Sequence, residues 1–209
     1  MQFRSNQFAL PEITKNLIAI NVIMYVATRI LFPDWYYHLG LHLFATEGFK
    51  PWQIVTSIFM HHDFRHLLFN MIGLWIFGTR LEQMWGSKRY LNFYAICAFG
   101  ATLLAQSVNY YMYINGLSKP SFSVGASGAI YGLSAAFAMY WPNTEMQLLF
   151  IPVPIKAKYL VLGLVIISLV FGMANLPGDS IGHYAHLGGA AVGFLLVKYW
   201  NKTNRNSFY

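Results

Sequence analysis

Apolar residues gather in long runs separated by short polar stretches, at approximately 17–32, 66–81, 91–111, 127–141, 159–173 and 183–199. A helix needs about 20 mostly apolar residues to cross roughly 30 Å of hydrocarbon, so the pattern predicts an all-α membrane protein with six transmembrane helices. No internal repeat, low-complexity tract or linker divides the chain, and residues 1–209 read as one membrane domain. The connection 33–65 is long and carries Trp35, Tyr36, Tyr37, Phe44, Phe49 and Trp52. Such amphipathic rings suit the headgroup layer, so a long interfacial first loop is expected. It reads equally as a passive connection or as a wall beside a site.

Charge then orients the bundle. Threading six spans puts Arg4, Lys15, Arg80, Lys88, Arg89, Lys156, Lys158, Lys198, Lys202 and Arg205 on one side, ten basic residues in all. Only Arg29, Lys50, Arg65 and Lys119, four residues, fall on the other. The asymmetry predicts that both termini are cytoplasmic. With 56% hydrophobic and 10% charged residues, water is not the main solvent. The net charge of +7 is spread over short segments rather than one face, so nucleic acid is not an expected partner. The single cysteine, Cys97, excludes an intrachain disulfide and reads as a small core residue. The first residues show no cleavable leader, so the first apolar run is expected to stay as an anchor, and a bacterial cytoplasmic membrane is the expected location.

Polar groups inside spans are costly and need a reason. Gly125-Ala126-Ser127-Gly128 opens the fourth run. A serine between glycines at a helix start has an uncrowded hydroxyl, and the amides of the first turn point toward any nearby anion. His186 lies early in the sixth run. Spans four and six start from the same side, so Ser127 and His186 fall at similar depths and can meet. Gly128, Gly132 and Ala136, with Gly189 and Gly193, recur every four residues and let two helices approach closely. From Ser127 to Trp141 is about 15 residues, roughly 22 Å of helix, which sinks the serine below the surface into a hydrated cavity.

His61, His62, His66 and Asn70 surround the entry to the second run, with His66 and Asn70 one helical turn apart. No carboxylate or cysteine partners accompany the histidines in a ligand pattern, so no metal and no cofactor is expected. Hydrogen-bond donation to a developing oxyanion is the favoured role for this His and Asn group. Tyr131 follows Ser127 by one turn on its face and is placed to pack on the His186 ring.

As a set, these residues resemble the rhomboid family of intramembrane serine proteases. The match runs through Met60-His61, His66 and Asn70, then Glu82 with Trp85-Gly86, then Gly125-Ala126-Ser127-Gly128 with Tyr131, then Ala185-His186 with Gly189 and Gly193. The resemblance implies a six-helix rhomboid bundle, a Ser-His dyad without a third acid, and cleavage of transmembrane protein substrates near the outer face of the lipid bilayer. It implies Ser127 as nucleophile and His186 as general base. It places His61 and Asn70 at the side-chain oxyanion positions beside the Ser127 amide, with His66 as structural support. His183 is a weaker candidate for lining the cavity or touching substrate. The fifth span and the loop 174–180 are candidates for a lateral gate and a cap, Pro177 and Gly178 suiting either a hinge or a static turn. Two rival readings stand beside this one: an inactive rhomboid-like binding factor, and a small transporter, for which the paired broken helices of a repeat are lacking.

Overall fold

The structure, a computed structural model, describes residues 10–148, 151–174 and 182–205. Helix occupies each of the six apolar runs. The first is α1 (Glu12–Val26), prolonged by a π-helical segment, Ala27–Leu31. The second is α4 (Phe64–Gly73), which passes through another π-helical segment, Leu74–Gly78, into α5 (Thr79–Trp85). The others are α6 (Ser87–Ile114), α7 (Ser127–Tyr140), α8 (Ala157–Ala174) and α9 (His183–Arg205). Among the described residues, three helices are long and apolar enough to cross a membrane by length and composition: Glu12–Leu31, Ser87–Ile114 and Ala157–Ala174. Large apolar side chains such as Ile23, Leu103 and Leu162 point outward from all three, as lipid-facing surfaces require.

The first connection is folded. Two short helices, α2 (Trp35–Leu39) and α3 (Gln53–Thr56), flank strand β1 (Leu41–His42). Strand β1 pairs antiparallel with β2 (Phe122–Ser123), with Leu41 opposite Ser123. Gln106 of α6 fastens the loop by accepting the Phe44 N–H at 3.0 Å and donating to the His42 carbonyl at 3.2 Å. The second strand pair, β3 (Glu145–Leu148) with β4 (Ile151–Lys156), lies between α7 and α8 and departs from the all-helical expectation. Its apolar residues were too few and too interrupted by proline to register as either a span or a strand.

Helix starts follow local chemistry. Pro11 precedes α1 and has no side chain able to cap it. The Glu82 carboxylate does so instead, accepting the Ile13 and Thr14 amides at 2.9 and 2.7 Å. It also accepts the Thr14 and Ser87 hydroxyls at 2.8 and 2.7 Å, so the buried charge is solvated by four donors from two helices, α1 and α6. Asp63 caps α4 by accepting the His66 N–H at 2.8 Å. That bond holds the Asp63 carboxyl below its usual range, with a further contribution from His62. Because the folded-state value is depressed, the cap is fully present above about pH 4 and fades as pH falls through that lowered value. Asp63→Ala is expected to destabilise the protein by about 1 kcal/mol, measurable as a lowered midpoint of thermal unfolding in detergent at neutral pH.

α7 sits at the centre, packed against α6, α8 and α9. Its small residues make this possible. A Cβ on Gly189 would overlap the Gly128 carbonyl oxygen, and one on Gly193 would come within 2.6 Å of the Gly132 carbonyl oxygen. The two backbones therefore touch along the stripe that the four-residue spacing predicts.

Candidate active site

Ser127 is the first residue of α7, so the amides of its turn have no acceptor within the helix. Gly125 delivers it there with φ +125°, a backbone conformation that disfavours any side chain. The Gly125 N–H donates to the Ser57 carbonyl at 2.9 Å, which ties this turn to the folded first loop. A Cβ at Gly125 would also press on the His66 ring, 2.8 Å from its Nε2. Two independent constraints thus select glycine beside the serine.

The close α7–α9 contact carries His186 toward Ser127. The Ser127 hydroxyl lies 2.8 Å from His186 Nε2 and can donate to it. Tyr131 stacks on the imidazole with ring centroids 4.2 Å apart and planes 8° apart, which fixes the plane of the ring. His183, buried one turn before His186, meets that ring edge-on with centroids 6.2 Å apart. Tyr184 donates to the Gly172 carbonyl at 2.6 Å, joining the start of α9 to the end of α8.

A cavity of about 1730 Å³ opens over these groups, lined by Ser127, His186, Tyr131, His66 and Asn70 among others. Apolar side chains of the π segment and α8, including Trp75, Ile76 and Leu164, line another part of it. With 14 residues, α7 is roughly 21 Å long, against roughly 42 Å for the 28 residues of α6.

His61 and His66 lie in different surroundings. His61 is fully buried, its ring packed edge-on against His66 with centroids 5.0 Å apart, and it is not among the residues lining the cavity. It backs His66. His66 itself reaches the cavity wall because α4 begins at Phe64, which puts residues 66 and 70 on the inner face. The His62 backbone N–H approaches His66 Nδ1 at 3.4 Å, so the neutral ring carries its proton on Nε2, the nitrogen beside Gly125. Asn70 is buried and donates one amide hydrogen to the His66 carbonyl at 3.0 Å, leaving its second hydrogen for the cavity. The side chain of His62 is exposed and pairs with Asp63 at 3.2 Å, and both residues also line the cavity. Among the described residues, no three His, Cys, Asp or Glu side chains are grouped to hold a metal ion.

Ser168 was not anticipated. It lies on α8, 1% exposed, with its Oγ 3.3 Å from the Tyr131 hydroxyl and 3.5 Å from His186 Nδ1. A lone hydroxyl within Ile166-Ile167-Ser168-Leu169-Val170 is the signal that could have marked it. Of the loop expected to act as a cap, residues 175–180 lie outside the described residues.

A family model of the Rhomboid domain matches residues 48–202. The chain belongs to the rhomboid family. That span holds Asn70, Ser127 and His186 together. The chain is 34% identical over 151 residues to Rhomboid protein 1, mitochondrial, of Saccharomyces cerevisiae, covering 71% of this chain and 42% of that protein. It is 35% identical over 144 residues to Rhomboid protease GluP of Bacillus subtilis, covering 68% of this chain and 25% of that protein. With Rhomboid-like protease 3 of Toxoplasma gondii the identity is 30% over 163 residues, 76% of this chain and 55% of the relative. The rhomboid chain thus spans from a quarter to little more than half of these relatives' lengths. Mitochondrial and bacterial proteins both occur among them.

Proposed function

We propose that this rhomboid is an intramembrane serine endopeptidase that cleaves transmembrane helices of other membrane proteins through a Ser127–His186 dyad. The observation that carries this reading is the 2.8 Å contact between the Ser127 hydroxyl and His186 Nε2 at the wall of a large cavity. His186 takes the hydroxyl proton as Ser127 attacks the scissile carbonyl, then gives it to the leaving amine. Water hydrolyses the acyl-enzyme in a second step. The developing oxyanion is met by His66 Nε2–H, the free Asn70 amide hydrogen and the amides of the first turn of α7. This assignment moves the histidine role from His61 to His66, on the strength of burial and cavity lining.

A substrate helix hides its carbonyls in internal hydrogen bonds, so cleavage requires it to unwind locally. Sequences with small or helix-breaking residues near the scissile bond are the favoured class. The six helices are taken to cross the bilayer, with both termini on the side that carries ten of the basic residues. Glu82 and the start of α1 share one end of the bundle, while Asp63, Ser127 and His186 head their helices at the other. In a bacterial cytoplasmic membrane the site therefore opens to the non-cytoplasmic face. The inactive-relative reading loses its footing because a nucleophile, a base and oxyanion donors are all present.

The test is covalent labelling of the purified, folded protein by a fluorophosphonate, with cleavage of a single-span reporter in vesicles. Asn70→Ala is expected to slow both by roughly 10²-fold while thermal stability stays near wild type. A folded sample that neither labels nor cleaves would overturn the assignment in favour of binding or transport.

A further inference from the structure

α8 is the most apolar of the three long spans, yet it buries a hydroxyl at Ser168 and aims it at the site. A serine in an apolar helix commonly returns its hydroxyl to the carbonyl one turn back. Here its partners lie on other helices: the Tyr131 hydroxyl at 3.3 Å and His186 Nδ1 at 3.5 Å.

The direction of these bonds follows from the dyad. Ser127 donates to His186 Nε2, so a neutral imidazole must carry its proton on Nδ1. That N–H faces the Ser168 oxygen, which can accept it while passing its own hydrogen to the Tyr131 hydroxyl. Tyr131 stacking sets the plane of the ring but not its flip, since a half-turn about Cβ–Cγ keeps that plane while putting Cε1 in place of Nε2 and Cδ2 in place of Nδ1. An acceptor on the far side removes that freedom. At 3.5 Å the contact is long, and it is of the kind that tightens when the ring becomes an imidazolium.

We propose that Ser168 is a positioning residue for His186, a neutral Nδ1 acceptor in the place where soluble serine hydrolases use a carboxylate. A hydroxyl suits this setting, because an ionised acid within an apolar span carries a large desolvation cost. The inference rests on the dyad proposed above.

The experiment measures the inactivation rate constant and the apparent binding constant of a fluorophosphonate for the full chain in detergent. It also records ¹⁵N spectra of the histidine rings, with His186→Ala identifying the His186 signals. Ser168→Ala is expected to lower the rate constant about tenfold with the binding constant within about twofold, and to shift the His186 signals from one tautomer toward a mixture. Ser168→Thr, which keeps the hydroxyl, is expected to retain the wild-type tautomer and to recover most of the rate. A Ser168→Ala protein that labels at the wild-type rate overturns the positioning role and leaves the dyad standing. Slow labelling by both variants with unchanged His186 signals also overturns it, assigning Ser168 to packing. Wild-type protein that fails to label at all removes the dyad, and this inference with it.

Discussion

Ser127→Ala is expected to abolish fluorophosphonate labelling and reporter cleavage together, a loss on the order of 10⁶-fold in the catalysed rate. The substitution deletes the proposed attacking atom, the hydroxyl 2.8 Å from His186 Nε2. Folding should be almost untouched. One hydrogen bond is lost, worth about 1 kcal/mol, while Tyr131 still stacks on His186 and the glycine stripe still packs. The check is a paired measurement of cleavage and thermal unfolding on the same preparations. Cleavage by the variant at the wild-type rate would sink the mechanism, whereas a collapse of stability would show that the serine also holds the structure together.

Gly189→Ala is expected to have the next largest effect, although the residue touches no substrate. Its new methyl would overlap the Gly128 carbonyl oxygen, which is backbone and cannot rotate away. Relief requires α9 to move off α7, and those two helices carry the proposed base and nucleophile. Overpacking of this kind costs typically 1–3 kcal/mol, and a displacement of about 1 Å between reacting groups costs roughly 10²-fold in rate. The variant should therefore unfold at lower temperature and label at least 10²-fold more slowly. Gly163→Ala on α8 supplies the control, because nothing lies within 4 Å of its added methyl. It should label normally and be at least as stable as wild type. Equal behaviour of the two alanine variants would mean that the α7–α9 contact does not set the site.

The separate weights of sequence and fold are visible in single residues. Span positions follow from hydropathy because lipid leaves the backbone no alternative to helix over an apolar run. The depth argument joins Ser127 to His186 because both head helices that start from the same face, and the small-residue spacing names the helix pair that brings them close. The strand pair between α7 and α8 escaped, since strands of four and six residues interrupted by Pro152 and Pro154 carry little periodicity.

The order of the histidines shows the limit most clearly. His61 and His66 are equivalent as composition, and only the start of α4 at Phe64 decides which ring reaches the cavity and which is buried behind it. Ser168 is a similar case, because its meaning depends on two partners, Tyr131 and His186, that lie 37 and 18 residues away along the chain. The amino-acid sequence by itself determined a membrane-spanning helical chain, its family, and the residue types able to do acyl transfer. Tertiary structure decided which of them face one another, because hydropathy reports the distance of a residue from water and says nothing of its rotation about the helix axis.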